Sequence, residues 1–254
     1  MSLAKNGRLE SQAMVLSSAW TGTLNEGGGA VAWSISPGTY SPTTLATALA
    51  ATLTAAGGSY TVSIANGEAG TGKVTIAEGS STVFTLNWTS TAARDFFGFT
   101  GNLSGSATYT STYGVLGLWL PDCILKGAYV SGDEGHWEGG PSQTVSPLGA
   151  TMTLLHPTRV RIGPVVWSHV SAARSRQYSE TSGVRSFERF VRDTMFGQTA
   201  GFTPGGTVRL YWDAGAGSYV DINPEARETT ELGRAVEEYG GLYACSIAGW
   251  KVPA

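Results

Sequence analysis

The chain has 254 residues, long enough for one large domain or two small ones, and a net charge of −3. This slightly acidic balance lacks the basic footprint of a nucleic-acid-binding protein. The 35 glycines, with abundant serine and threonine, favour a β-rich, turn-rich fold over a helical one.

Residues 1–10 predict a flexible N-terminal arm, because they contain few apolar side chains. Such arms become ordered by lying along a neighbouring subunit, so Lys5 and Arg8 are candidate intersubunit contacts. A frayed terminus without a role is the alternative. Two apolar runs follow at residues 13–20 and 30–36, and we expect both to be strands.

One amphipathic helix is predicted over residues 42–56. Ser41 stands at the N-cap position and Pro42 at the first helical position, where a missing N–H costs nothing. Three leucines then recur every four residues, and Gly57 and Gly58 end the segment. The apolar face consists of Leu45, Leu49 and Leu53.

Three strand-like runs follow this helix, at residues 60–65, 73–77 and 83–88. The first turn between them contains Asn66 and Gly67, a strong hairpin signal. A short helix at residues 92–97 leads into a Phe-Gly-Phe sequence. Residues 11–105 therefore predict an α+β module, in which the helix lies on a small antiparallel meander.

The module combines a Gly38-x-Tyr40 turn, a Leu-x-x-x-Leu helix, a hairpin and the sequence Phe97-Gly98-Phe99. This combination resembles a module of virion structural proteins from tailed bacteriophages and some large DNA viruses. The resemblance implies a virion protein of the tail or neck, made in the host cytoplasm and present in many symmetric copies. Its partners would be other copies of itself and neighbouring virion proteins.

The polar stretch 101–112 predicts a spacer and a domain boundary. Beyond it, residues 113–254 predict a β-rich, sandwich-like domain with one packed helix at residues 183–196. Charge is unevenly divided, because 26 of the 35 charged residues follow residue 114. The order of elements here is similar to the arrangement in phage distal-tail and tail-tube-related proteins. An arginine- and serine-rich strand leads into this helix, and a strand at residues 207–212 follows.

The remaining second-half elements are mostly strands. Residues 219–222 are the expected hairpin partner of residues 207–212, and residues 225–238 are equally compatible with a helix or with none. The other predicted strands are residues 115–120, 124–130, 151–155, 159–170, 174–179 and 241–252.

Residues 67–74 nearly match a phosphate-binding loop. Val74 occupies the position where such a loop needs Ser or Thr for Mg²⁺, and a strand rather than a helix is predicted to follow. We interpret the stretch as a hairpin turn and expect no cofactor.

The loop at residues 132–140 contains four residues that could bind a divalent cation: Asp133, Glu134, His136 and Glu138. Their spacing matches no calcium loop, so we interpret them as solvated loop residues and expect no metal. Trp137 in the same loop could insert into a neighbouring subunit, which makes it a further candidate contact.

The sequence shows no nucleophile elbow and no catalytic constellation, so we expect a protein that is not an enzyme. It contains no apolar stretch long enough for a membrane span and no secretory signal. Cys123 and Cys245 fit buried thiols better than a disulfide, although a single long-range bridge stays open. We expect four tryptophans to lie in the core: Trp20, Trp33, Trp88 and Trp119.

Two other functions remain open at this point. A capsid decoration, spike or receptor-binding module would present tryptophan and tyrosine to a host-surface glycan. A cell-wall hydrolase would need paired carboxylates about 5–9.5 Å apart.

Overall fold

The computed structural model describes residues 7–67, 70–122, 136–138, 141–145, 151–155, 159–175, 183–195, 197, 201–202, 206–211, 219–223, 235–239 and 242–251. The fold is mainly β with a few helices, as the composition predicts. The strands are β1 Arg8–Ser11, β2 Met14–Leu16, β3 Trp20–Asn25, β4 Val31–Ile35, β5 Gly38–Tyr40, β6 Tyr60–Ile64, β7 Lys73–Glu78, β8 Phe84–Trp88, β9 Leu103–Ser106, β10 Thr108–Gly114, β11 Leu118–Trp119, β12 His136–Glu138, β13 Pro141–Val145, β14 Thr151–Leu155, β15 Arg159–Ser171, β16 Val208–Tyr211, β17 Tyr219–Asn223, β18 Ala235–Tyr239 and β19 Leu242–Lys251. The helices are α1 Pro42–Ala56, α2 Thr91–Phe96, α3 Ala172–Ser175 and α4 Phe187–Phe190, which continues into a π-helical turn, Val191–Met195.

Eight of the described strands form one sheet, which we call the main sheet. Seven of them run in the order β11-β1-β16-β17-β19-β15-β12, and β18 also pairs with β19. The chain leaves this sheet after Ser11 and returns at Leu118, because β1 and β11 are antiparallel neighbours. Residues 14–117 therefore form an insert between two adjacent strands of the main sheet.

The position of β1 contradicts the predicted arm. Arg8–Ser11 lies between β11 and β16, and all four residues are buried. Leu9 pairs with Trp119 on one side and Leu210 on the other. The prediction of flexibility is thus wrong for residues 8–10, while residues 1–6 lie outside the described part of the chain. Leu9 is the apolar side chain by which this short strand joins the core of the main sheet.

The helix α1 agrees with the prediction in its bounds, its cap and its buried face. The Ser41 hydroxyl accepts from the Thr44 amide at 3.2 Å, and the Thr44 hydroxyl accepts from the Ser41 amide at 2.8 Å. These reciprocal bonds satisfy backbone N–H groups at the helix start. The leucines at positions 45, 49 and 53 are fully buried.

The predicted meander is only partly present. β6 and β7 form the expected antiparallel hairpin, but β8 joins a different sheet, of order β4-β3-β8-β9. The Glu78 carboxylate accepts from the amides of Ser80 and Thr82, both at 2.8 Å, and this loop carries the chain away from β7. The two sheets pack on each other through aromatic rings, with Phe84 of β8 5.0 Å from both Tyr60 and Tyr109.

The stretch 101–112 is not a linker. It contains β9, which pairs with β8, and most of β10, which pairs with β7. Its Ser and Thr residues occupy strands at the sheet edge, where alternate side chains face water. A polar composition is compatible with such edge strands, so composition alone misplaced the boundary.

The sequence Phe97-Gly98-Phe99 ends α2. Gly98 has a φ of 78°, a left-handed conformation that favours glycine, and the Phe99 amide donates back to the Arg94 carbonyl at 3.0 Å. Both phenylalanines are buried. The motif therefore reverses the chain while keeping two aromatic rings in the core.

In the second half, several strands agree with prediction, while the packed helix and the strand predicted at residues 174–179 do not. The alternative left open at residues 225–238 is decided in part. β16 pairs with β17 as expected, and β14, β15 and β19 lie within one or two residues of their predicted bounds. The helix begins at Phe187, after Ser186, whose hydroxyl accepts from the Arg189 amide at 3.2 Å, and not at residue 183. Residues 174–175 belong to α3 rather than a strand, and residues 235–238 form part of β18 rather than a helix.

Two cores lie on opposite sides of β11. Leu118 and Leu120 contribute to the core of the insert, whereas Trp119 between them contributes to the core of the main sheet. This division follows from the alternation of side chains along an extended chain. Trp119 contacts Trp167 and Phe187, with ring centroids 5.0 and 4.7 Å apart.

Candidate functional site

The three predicted contact residues have different positions. Arg8 is 8% exposed in β1, with its guanidinium carbon 3.9 Å from the centre of the Tyr211 ring. Its own chain thus surrounds it, contrary to the idea of an arm on a neighbouring subunit. Trp137 lies in strand β12 at the edge of the main sheet, not in a loop. Lys5 lies outside the described residues.

Residues of β1 connect the main sheet to the insert. The Arg8 guanidinium donates to the Asn66 carbonyl at 3.3 Å. The fully buried Glu10 carboxylate accepts from the Thr43 amide in the first turn of α1 at 3.1 Å. A carboxylate at a helix N-terminus is favoured by the helix dipole. The strand that was expected to be free thus helps to hold the insert in place.

Two buried arginines of the main-sheet region form hydrogen bonds across the boundary between that region and the insert. Arg174 donates to the carbonyls of Leu120 and Gly70, at 3.1 and 2.9 Å. Arg185 donates to the Gly114 carbonyl at 2.8 Å. Burial lowers the pKa of both guanidinium groups. These contacts join the main-sheet region to backbone carbonyls of the insert and of the residues that follow it.

A cleft of about 470 Å³ opens at this boundary, between α2 and β10 on one side and the start of α4 on the other. Four charged groups line it, three arginines and one aspartate, together with aromatic and aliphatic side chains. The lining residues are Arg94, Asp95, Phe99, Thr100, Tyr113, Leu116, Arg185 and Arg189.

Arginine predominates among the charged side chains that line the cleft. Burial, and then the nearby charge of Arg189, lower the pKa of Arg185 to about 10, so the group is still charged at neutral pH. Arg189 pairs with Asp193 at 2.9 Å, and Arg94 pairs with the exposed Asp95 at 2.8 Å.

The sequence analysis did not identify this cleft. The helix predicted at residues 183–196 includes Arg185 and Arg189, but Arg185 precedes the observed helix and is 7% exposed. Arg94 and Tyr113 are 19 residues apart and were predicted to lie in different domains, on either side of the expected spacer at residues 101–112. Only the packing of the insert on the main-sheet region brings these side chains together.

A second candidate surface is the edge strand β4. The Thr21 carbonyl of β3 accepts from the amides of Thr89 and Ser90, on the β8 side. Backbone groups alternate in direction along a strand, so those of the next residue, Gly22, point towards β4 and its partner Trp33. The residues flanking Trp33, Ala32 and Ser34, therefore direct their backbone groups away from β3. Both are exposed, and no described loop or side chain bonds to their backbone.

The other features singled out in the sequence lie in a hairpin connection or in buried positions, where the structure describes them. The near match to a phosphate-binding loop connects the antiparallel strands β6 and β7, which confirms the hairpin interpretation. Trp20, Trp33, Trp88 and Trp119 are buried, as predicted. Cys245 is buried on β19, whereas Cys123 lies outside the described residues, and so do Asp133 and Glu134.

Within the described ranges, no three His, Cys, Asp or Glu side chains are grouped as a metal site would require. None of the described helices is both long and apolar enough to cross a membrane. The chain matches no protein-family model, no curated protein and no solved structure.

Proposed function

We propose that this protein is a structural subunit of a tailed-phage virion, most consistent with the tail or neck, and that it acts by symmetric assembly. The observation that carries the proposal is the open edge of β4, whose residues Val31–Ile35 include no charged side chain. Soluble proteins usually protect an exposed strand edge with charge, proline or a bulge. An unprotected edge suits a protein whose neighbour supplies the next strand.

The other outer strands of the insert support this proposal. The edges of its four-stranded and three-stranded sheets are β4, β9, β6 and β10, and none of them carries Lys, Arg, Asp or Glu. The resemblance of the insert to virion modules agrees with an assembly role. The glycan-binding alternative is less well supported, because the five tryptophans with described side chains are buried rather than available for stacking: Trp20, Trp33, Trp88, Trp119 and Trp167.

The test is whether the β4 edge forms contacts between subunits. Ala32→Lys and Ser34→Lys place charges on exposed positions of β4 and should block strand addition without affecting folding. Thr47→Lys on the exposed face of α1 is the matched control. Light scattering and negative-stain microscopy should show wild-type protein and the control in particles well above 26.5 kDa, and the β4 variants as monomers.

Two results would contradict the proposal. One is a wild-type protein that stays at monomer mass across the concentration range, and also fails to appear in purified particles of a phage that encodes it. The other is assembly of the β4 variants at the wild-type level.

A further inference from the structure

The four outer strands of the insert's two larger sheets differ in how their edges are covered. β9 is interrupted by a bulge between its two pairs with β8, and Gly105 within it has a φ of 87°. A bulged edge gives a neighbouring strand no regular row of hydrogen-bonding groups. On β10, the Ser106 hydroxyl accepts from the Thr108 amide at 3.2 Å and donates to the Thr108 carbonyl at 2.8 Å. Neither strand therefore offers a complete edge.

The β6 edge is also partly occupied by the chain's own groups, whereas the centre of β4 is not. The Tyr60 amide donates to the Thr54 hydroxyl of α1 at 3.1 Å, and the Ile64 carbonyl accepts from the Asn66 amide at 2.8 Å. On β4, the backbone groups of two alternate residues point outward without a partner among the described residues: Ala32 and Ser34. Of these four strands, β4 therefore has the regular and uncovered edge.

The β4 edge carries no charge that would repel a second copy of itself. Residues 27–67 contain no Lys, Arg, Asp or Glu. The charged residue that precedes them, Glu26, is held by the insert, because its carboxylate accepts from the Tyr60 hydroxyl at 2.6 Å and from the Gly58 amide at 2.9 Å. Like charges directly opposite each other destabilise a strand pair. Two β4 strands can approach without creating such a contact.

An antiparallel pair of β4 strands has a register that uses both open residues. Centred on Trp33, it places Ala32 opposite Ser34 of the second copy, on each side of a two-fold axis. Each of these two pairs exchanges both N–H···O bonds, because the backbone groups of both residues point outward. In the same register Val31, which is 47% exposed, lies opposite Ile35 of the second copy and loses contact with water.

We propose that β4 pairs with β4 of a second copy of this chain, in antiparallel orientation about a two-fold axis. The inference rests on the proposed assembly function and names the partner, which is the same strand of an identical chain. The pairing joins two four-stranded sheets into one continuous sheet. The interface is isologous rather than head-to-tail, because β9 at the opposite end of the same sheet is bulged.

Charge complementation between two variants tests this pairing. Ser34→Lys alone brings two lysines diagonally across the axis, and Ala32→Glu alone brings two glutamates together in the same way. Each should raise the dissociation constant of self-association at least about tenfold, measured by sedimentation equilibrium. An equimolar mixture sets the lysine opposite the glutamate, so the dissociation constant should return to within about threefold of the wild-type value.

A charge placed elsewhere on the insert is the matched control. Thr47→Glu lies on the exposed face of α1, so mixing it with Ser34→Lys should not restore association of the lysine variant. Cross-linking with a short bismaleimide gives a second measurement. Ser34→Cys chains should cross-link to each other through this residue, as identified by mass spectrometry, whereas Thr47→Cys chains should not. Circular dichroism melting verifies that each variant is folded.

The pairing is overturned if the mixture of Ser34→Lys and Ala32→Glu associates no better than either variant alone. It is also overturned if the wild-type protein stays at its monomer mass of 26.5 kDa up to about 1 mM. Wild-type assembly without complementation or cross-linking at residue 34 would reject the β4 pair and leave the assembly function standing. A β4-paired dimer that is absent from particles of a phage encoding it would reject the virion role and leave the pair standing.

Discussion

The insert and the main sheet are built in different ways. Most strand pairs in the insert join residues less than 40 positions apart, such as β6 with β7 and β3 with β4. In the main sheet, β1 pairs with strands about 110 and 200 residues later. Local patterns are therefore sufficient to identify much of the insert, whereas the main sheet depends on pairings that no local window contains.

The two regions also use charge differently. The outer strands of the insert carry none, whereas the main-sheet region contributes buried arginines that bond to carbonyl groups across the boundary. Two outer strands of the main sheet, β12 and β18, carry charged residues such as Glu138 and Glu237. This contrast supports the proposal that neighbouring subunits contact the insert rather than these edges of the main sheet.

The largest expected effect comes from deleting residues 2–10. This removes most of β1, a strand between two others, and with it the buried Leu9 and Glu10. We expect loss of the cooperative melting transition of the main sheet, measured by circular dichroism. Deleting residues 2–6 is the control and should leave the transition unchanged. A stably folded product of the longer deletion would restore the idea of a dispensable arm.

Trp119→Ala tests the core of the main sheet. The side chain is fully buried, contacts Trp167 and Phe187, and donates through Nε1 to the Arg174 carbonyl at 2.8 Å. Replacing a buried tryptophan with alanine costs about 3–5 kcal/mol of unfolding free energy. Urea unfolding followed by circular dichroism measures it, and a cost below about 1 kcal/mol would contradict the described packing.

Leu49→Ala makes the corresponding test in the insert. Leu49 is fully buried and lies on the α1 face that packs in the core of the insert. The expected loss of unfolding free energy is about 2–5 kcal/mol. Thr47→Ala on the exposed side of the same helix is the control and should change stability by no more than about 0.5 kcal/mol. An unchanged melting temperature for Leu49→Ala would mean that the helix packs elsewhere.

Arg174→Met tests whether the two regions unfold together. The change keeps much of the side-chain volume but leaves the carbonyls of Leu120 and Gly70 without this donor. The expected cost is about 1–3 kcal/mol, because buried carbonyl groups lose a partner. Calorimetry should show one transition for wild-type protein and a broader or divided one for the variant. Two resolved transitions in the wild type would show that the boundary contacts do not couple the regions.

The smallest expected effect is at Tyr60, whose hydroxyl donates to the Glu26 carboxylate at 2.6 Å. Burial, and then this hydrogen bond, raise the pKa of Tyr60. The unfolded chain loses the hydroxyl proton near pH 10, whereas the folded chain keeps it. The contribution of Tyr60 to the unfolding free energy is therefore complete below pH 10 and declines as pH rises above it.

Tyr60→Phe should therefore cost about 1 kcal/mol at pH 7 and reduce the loss of stability between pH 9 and about pH 11. Tyr40→Phe, which removes a hydroxyl bonded to the Ser36 carbonyl, is the control. Urea unfolding at several pH values measures both effects. An alkaline decline as steep in Tyr60→Phe as in the wild type would remove Tyr60 as its cause.

Sequence reasoning succeeded where a feature depends on neighbouring residues. The bounds of α1 follow from Ser41, Pro42 and Gly57, and the β6–β7 hairpin follows from its Asn-Gly turn. It failed where a segment had two local interpretations. Residues 8–10 have the composition of a loose terminus, and residues 101–112 have that of a spacer, yet both regions form strands.

The amino-acid pattern was sufficient for the mainly β class, the leucine face of α1 and the buried tryptophans, because burial and local hydrogen bonding act over a few residues. Three features required the folded chain: the place of β1 in the main sheet, the transfer of β8 to another sheet, and the cleft that joins Arg94 to Arg185. Each depends on contacts between segments far apart in sequence. Such contacts are selected by the packing of whole sheets and helices, which composition and periodicity do not specify.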